Sequence, residues 1–233
     1  MSMLEYEGRG RLTFVSRRPR RATLCAPALG PAAVHRAAAA GVVVVDGRSP
    51  EAHDACHIPG SVSIPLEGSG FADRARAVIT AGSPIVAAAD GDIDGHAVAR
   101  ALSGAGFRIV VGVVAGGVAA YDAAGYDVRC EPAAAADRLF ADLELGGAVL
   151  VDARDDEDWG QGHVPGSVHM PLRSLRGAAR RLPRTPVVVA CGDGRRAATA
   201  ASFLRRGGHD NVWRVAGAGL PFLLSRRLDL RGV

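Results

Sequence analysis

A stretch of sequence that occurs twice decides the fold of this chain. Residues 42–66 read VVVVDGRSPEAHDACHIPGSVSIPL, and residues 148–172 read AVLVDARDDEDWGQGHVPGSVHMPL. In one register, the copies share the pairs Asp46 and Asp152, Arg48 and Arg154, and His57 and His163. The same PGSV turn follows each histidine after one residue. Matches in one register over such a length indicate an internal repeat, and therefore two homologous structural units.

The repeat continues beyond a gap, where residues 83–107 match residues 185–209. Uniformly apolar, β-branched runs at 42–45 and 149–151 predict strands buried on both faces of a parallel sheet. Further strands are predicted at 83–89, 108–114, 185–190 and 211–217. Alanine-rich stretches that end in glycine predict helices at 96–106 and 196–208, and proline-started stretches predict helices at 31–41 and 132–147. This alternation of strands and helices predicts an α/β class.

We therefore predict two tandem α/β domains, each a small parallel sheet flanked by helices. The first is assigned to residues 29–129 and the second to residues 130–233, after an N-terminal arm over residues 1–28. Within this arm, the arginine-rich stretch GRGRLTFVSRRPRR at residues 8–21 is interpreted as a solvated segment.

Composition limits the function classes. The chain has 233 residues and a net charge of +4, and all 28 of its basic residues are arginine. Since these arginines are dispersed and aromatic residues are few, we expect no nucleic-acid partner. No signal-peptide apolar region and no uninterrupted membrane-length run is found, so we expect no membrane partner.

The cysteines favour a reducing compartment. Cys25, Cys56, Cys130 and Cys191 are far apart and form no CxxC pair, which suits a cytoplasmic protein without disulfides or a zinc site. Asp90, Asp92 and Asp94 resemble the start of a calcium loop, but the closing glutamate is missing. We therefore expect no bound metal.

One cysteine stands in a stretch with catalytic character, ACGDGRRAATAA at residues 190–201. Cys191 follows a predicted strand and precedes a predicted helix, and glycines and arginines fill the loop between them. Backbone N–H groups and a helix N-terminus stabilise negative charge in such a loop, and arginine adds a fixed cation. A thiol is strongly nucleophilic only as thiolate. The stretch therefore predicts that Cys191 is a nucleophile in an anion-binding loop.

These motifs resemble the rhodanese family of tandem-domain sulfurtransferases. The second copy matches the family's D-x-R…E-[FYW]…GHIPGA pattern, and CGDGRRA matches its C-x-x-G-x-R-[SA] active loop. The resemblance implies catalysis by Cys191 without metal or cofactor. It assigns the active-site loop to Gly192, Asp193, Gly194, Arg195, Arg196 and Ala197. In the first copy Ala89 stands in place of the cysteine, so the resemblance implies that this domain is inactive and helps to form the cleft.

The resemblance also implies a mechanism and partners. A sulfane sulfur passes from thiosulfate, mercaptopyruvate or a low-molecular-weight persulfide to Cys191, and then to a thiol or cyanide. Arg154, Arg195 and Arg196 are predicted to bind the donor, and Asp152 and His163 to give structural support. His57, Trp159, Trp213, Cys56 and Cys130 are interpreted as structural.

Two alternatives stay open at the sequence level. The chain could be a sulfur carrier or sensor without significant turnover, because Ala197 lacks the hydroxyl found in many relatives. It could instead be a phosphatase or arsenate reductase of rhodanese-like fold. The spacing from Cys191 to Arg196 is one residue shorter than the C-x5-R loop of those enzymes, which favours sulfur over phosphate.

Overall fold

The computed structural model describes residues 26–131, Leu143, residues 146–183 and residues 185–215, together with the backbone of two short N-terminal strands. These are β1 (Leu4–Glu7) and β2 (Arg11–Phe14), which pair antiparallel. The stretch at residues 8–21, predicted as a solvated arm, therefore contains a strand, and the rest of it lies outside the described residues.

The first domain contains a parallel sheet with strand order β3-β7-β6-β4-β5. Its strands are β3 (Ala28–Leu29), β4 (Val43–Asp46), β5 (Val62–Ser63), β6 (Ile85–Ala88) and β7 (Val110–Val114). Its helices are α1 (Pro31–Ala39), α2 (Pro50–Ala55), α3 (Phe71–Val78), α4 (Asp92–Gly104) and α5 (Gly117–Ala123).

The second domain repeats this plan in its described part, with a parallel sheet of order β11-β10-β8-β9. Its strands are β8 (Val149–Asp152), β9 (Val168–His169), β10 (Val187–Ala190) and β11 (Val212–Arg214). Its helices are α6 (Asp156–Gln161), α7 (Leu175–Ala178) and α8 (Arg195–Arg206), with 3-10 turns at Leu172–Ser174 and Ala179–Arg181.

The predicted fold is confirmed. Both sheets are parallel and flanked by helices. The central strands β6 and β10 lie within the predicted apolar runs, and β4 and β8 extend one residue beyond theirs, to Asp46 and Asp152. The two-residue strands β3, β5 and β9 were not predicted, because they are too short to show a hydrophobic pattern. The predicted helix over residues 132–147 falls almost entirely outside the described residues. No helix in the described part of the chain is long and apolar enough to cross a bilayer.

One hydrophobic core joins the two domains. Val45 and Ile64 of the first domain and Val151 and Leu204 of the second belong to the same buried cluster. The backbone N–H of Ser63, on the edge strand β5, donates to Ser202 Oγ on α8 at 2.9 Å. A helix of the second domain therefore covers the edge of the first sheet, which fixes the first domain beside the loop that precedes α8.

Candidate functional site

Cys191 lies at the carboxyl end of a central strand of the second sheet. Strand β10 is buried along its whole length, and Cys191 follows directly and is only 1% exposed. Gly194 adopts a left-handed conformation (φ 82°), which glycine accepts without strain and which turns the chain into α8 at Arg195. The carboxyl edge of a parallel sheet is where open α/β folds place their ligand sites.

The Cys191 thiol has two polar contacts. The backbone N–H of Ala197 donates to Sγ at 3.3 Å, and the thiol donates to Asp193 Oδ1 at 3.8 Å. Burial raises the pKa of Cys191, and the N–H bonds of the loop only partly offset this. Burial of the thiol therefore opposes the thiolate more strongly than the N–H donors of the loop favour it.

Arg195, which was predicted to bind the donor, is engaged by partners within the protein. Its guanidinium pairs with Asp193 at 2.6 Å and donates to the carbonyl oxygen of Glu67, in the first domain, at 3.2 Å. Burial raises the pKa of Asp193, but the hydrogen bonds and charge of Arg195 outweigh it, so the pKa is lowered overall. Arg195 therefore holds the cysteine loop against the first domain.

Arg196 is paired with two carboxylates that sequence reasoning missed. Its Nη1 lies 2.7 Å from Asp155 and its Nη2 lies 2.9 Å from Asp158. Both aspartates belong to the acidic run DDED at 155–158, where the first copy has SPEA at 49–52. The acidic run and the loop arginines thus occur together in the second copy of the repeat. This co-occurrence is the sequence signal from which their pairing could have been predicted.

Arg154 and Asp152 form the same arrangement as Arg48 and Asp46 in the first domain. Each arginine makes a fork-like pair with its aspartate, at 2.8 Å and 2.7 Å. Each also donates to a backbone carbonyl eight residues later, at 2.6 Å in both cases. Since the domain without the cysteine keeps all these contacts, they favour a structural role for Arg154 over the predicted donor binding. Asp152, fully buried, holds Arg154 in place.

The two repeat histidines lie apart from the thiol's contacts. The His163 ring forms a hydrogen bond with the Trp159 carbonyl oxygen at 3.2 Å and stacks on the Trp159 ring. The His57 ring forms a hydrogen bond with the His53 carbonyl oxygen at 2.7 Å and is buried.

Ala89, which takes the place of the cysteine in the first domain, is buried at the end of β6. The corresponding loops therefore differ in chemistry and not in position.

A cavity of about 340 Å³ opens between the two domains beside the cysteine loop. The first domain contributes Ser69, Gly70, Asp73 and Arg74, from α3 and the turn before it. The second contributes Asp155, Leu172, Arg173, Asp193 and Arg196, among them two residues of the cysteine loop. Three aspartates and three arginines line this cavity, so its wall is strongly polar.

The protein thus consists of two homologous α/β domains, each with a parallel sheet. In the second domain, a loop with a cysteine joins the end of a strand to the N-terminus of a helix. The family model described as the rhodanese-like domain matches residues 31–124 and again residues 135–218. The chain therefore belongs to the rhodanese-like family.

The chain is also similar to individual named proteins. The thiosulfate sulfurtransferase GlpE of Pseudomonas syringae pv. syringae (strain B728a) is 38% identical over 76 residues, which are 32% of this chain and 72% of that protein. SseA of Escherichia coli, described with the 3-mercaptopyruvate sulfotransferases, is 16% identical, with 82% of this chain and 98% of that chain covered and a TM-score of 0.38. A thiosulfate sulfurtransferase from Pseudomonas aeruginosa is 23% identical, with 89% and 45% covered and a TM-score of 0.38.

Proposed function

We propose that this chain is a sulfurtransferase that carries sulfane sulfur on Cys191, with thiosulfate as the donor and cyanide or a cellular thiol as the acceptor. The observation that carries the proposal is the position of Cys191 Sγ, which accepts the Ala197 N–H at the end of β10, in a loop whose Asp193 and Arg196 line the interdomain cavity. The names of the relatives support a sulfur donor of this class.

The reaction has two displacements. The Cys191 thiolate attacks the outer sulfur of thiosulfate, the S–S bond of the donor breaks, and sulfite leaves with the bonding electron pair. Cys191 then carries a persulfide. Cyanide attacks the terminal sulfur of that persulfide, the new S–S bond breaks, and thiocyanate leaves while the thiolate is restored. No net oxidant or reductant is consumed.

The loop has defined tasks in this scheme. The Ala197 N–H, at the start of α8, stabilises the charge on Sγ as the thiolate forms. Asp193 is held as a carboxylate by Arg195, and its lowered pKa makes it a poor proton acceptor. It acts as a hydrogen-bond acceptor that orients the thiol.

The test measures thiocyanate formation from thiosulfate and cyanide, together with the mass of the protein after donor treatment. We expect turnover and the added mass of one sulfur atom in the wild type. Cys191→Ser abolishes both, whereas Cys130→Ser, which changes an exposed cysteine, retains both. Turnover by the Cys191→Ser protein would overturn the proposal.

The same preparation separates the alternatives. Stable added sulfur on Cys191 without thiocyanate would indicate the carrier function. Phosphate release from p-nitrophenyl phosphate, abolished in Cys191→Ser, would indicate a phosphatase. The buried thiol is the observation that favours the carrier, because a deeply buried cysteine exchanges slowly with external acceptors.

A further inference from the structure

The charged side chains that line the interdomain cavity are almost all neutralised by partners. Asp73 lies 3.3 Å from Arg76, and Asp193 lies 2.6 Å from Arg195. Arg196 pairs with Asp155 and Asp158, and Arg173 pairs with Asp155 and Asp156. These ion pairs leave little net charge on most of the lining.

Arg74 is the exception. Arg74 lies in the first turn of α3, in the first domain, and is only 5% exposed. Its Nη1 donates to the Ser69 carbonyl oxygen at 2.6 Å and its Nη2 to the Pro65 carbonyl oxygen at 2.7 Å. Nε has no acceptor within the described residues, and no carboxylate there pairs with the guanidinium. A buried cation without an anionic partner is costly, so such a group calls for a ligand.

The electrostatic surroundings of Arg74 connect it to the cysteine loop. Burial lowers the pKa of Arg74 most, and the charges of Arg195, Asp193, Cys191 and Arg196 act on it next. A first-domain side chain is thus coupled to the loop of the second domain. The carbonyl contacts fix the guanidinium in one orientation, which is the preorganisation that an oxyanion site needs.

We propose that Arg74 binds the oxyanion end of the sulfur donor in the interdomain cavity. The ligand class is a compact anion, the sulfonate of thiosulfate or the carboxylate of a mercapto acid. The proposal rests on the proposed function for the identity of the donor. It changes the assignment of the donor-binding cation, because Arg154, Arg195 and Arg196 are already engaged by carboxylates. The domain without the catalytic cysteine thereby supplies substrate recognition.

The first test uses two alkylating reagents of nearly equal size and different charge. Iodoacetate and iodoacetamide both alkylate Cys191 by displacement of iodide, but only iodoacetate carries a carboxylate. We expect Arg74→Met to lower the ratio of the iodoacetate rate to the iodoacetamide rate by about tenfold, the effect of one charge-assisted hydrogen bond. Arg74→Lys keeps the charge but loses the planar guanidinium, so it retains only part of the ratio.

The matched control is Arg173→Met, which removes an arginine from the same cavity that already has carboxylate partners. We expect this variant to keep the ratio within about twofold, the change expected of an exposed ion pair. An unchanged ratio in a folded Arg74→Met protein, or an equal fall in Arg173→Met, would overturn the proposal. If Arg74 only stabilised the turn before α3, the alkylation rates with both reagents would change together and their ratio would stay the same.

The second test is kinetic. With thiosulfate, Arg74→Met is expected to raise KM by about tenfold and to leave kcat within about twofold, since the lost contact is made in the ground state and in the transition state. If Arg74→Met does not fold, sulfate replaces it as the probe. In the wild type and in Arg173→Met, sulfate then protects Cys191 from iodoacetamide, and in Arg74→Lys it protects more weakly.

The failure of the two proposals can be distinguished. A wild type that forms no thiocyanate refutes the sulfurtransferase assignment, while the alkylation ratio still reports on Arg74. Conversely, normal turnover with an Arg74-independent ratio refutes only the role of Arg74.

Discussion

Arg214 Nε donates to Asp54 Oδ2 at 2.6 Å across the boundary between the two domains. Arg214 lies on β11 of the second sheet and its side chain is 1% exposed, and Asp54 lies on α2 of the first domain. The Arg214 Nη2 also lies 3.1 Å from Glu51 on the same helix. The pairing joins secondary-structure elements of the two domains that are 160 residues apart in sequence.

We expect Arg214→Met to destabilise the protein by about 3–5 kcal/mol, because it leaves the Asp54 carboxylate buried and unpaired. Adding Asp54→Leu to this variant should recover much of the loss, since both charges are then gone. The measurement is urea unfolding. Arg76→Met breaks the exposed pair with Asp73 and should cost no more than about 1 kcal/mol. Equal losses in Arg214→Met and Arg76→Met would contradict this prediction.

The pH dependence of Cys191 alkylation provides a second prediction. Because burial raises the pKa of this thiol, the thiolate fraction keeps increasing at pH values where N-acetylcysteine is already ionised. The rate with iodoacetamide, followed by peptide mass mapping, should therefore level off at a higher pH for Cys191 than for N-acetylcysteine. A plateau at lower pH would show that the loop activates the resting thiol.

The turn before α3 supplies a third prediction. Gly68 has φ +74°, and an added Cβ would lie 1.4 Å from Arg195 Nη1. Gly82 has φ +85° with nothing within 4 Å of such a Cβ. Both Gly→Ala changes carry the left-handed strain of about 1–2 kcal/mol. Only Gly68→Ala displaces Arg195 from Glu67 and Asp193, so only this variant should lower kcat/KM for thiosulfate. An equal loss of kcat/KM in Gly82→Ala would indicate a general effect of stability.

The fold could be predicted from the sequence because its signals are local and repeated. The β-branched runs at 42–45 and 185–190 show their burial directly, and the repeat fixes Ala89 against Cys191 without any coordinates. The position of Cys191 at the end of β10 follows from the same pattern.

The pairing within the site could not be predicted in this way. Arg154, Arg195 and Arg196 look equally available in the sequence, and only the fold shows that each has a carboxylate partner. Arg74 belongs to an ordinary amphipathic helix of the other domain, and its sequence gives no sign that burial and the domain interface bring it beside the cysteine loop. Contacts between distant segments depend on tertiary packing, which local pattern does not encode.

The fourth prediction concerns acid stability and rests on His53 and His57, whose rings stack at 3.9 Å in the buried part of the first domain. Burial is the main cause that lowers the pKa of both, well below 6.5 for His53. The folded state keeps these rings neutral, whereas the unfolded chain binds protons below pH 6.5. Their contribution to stability is therefore complete above that pH and is lost as the pH falls.

At pH values below 6.5, we expect the free energy of unfolding to decrease by about 1.4 kcal/mol per pH unit for each histidine that stays neutral in the folded state. His53→Gln should reduce this slope by one histidine's share, because glutamine does not titrate. His163→Gln changes an exposed ring in the second domain and serves as the control. Denaturant unfolding at several pH values measures the slopes, and a slope unchanged by His53→Gln would contradict the assignment of this proton linkage to the buried histidine pair.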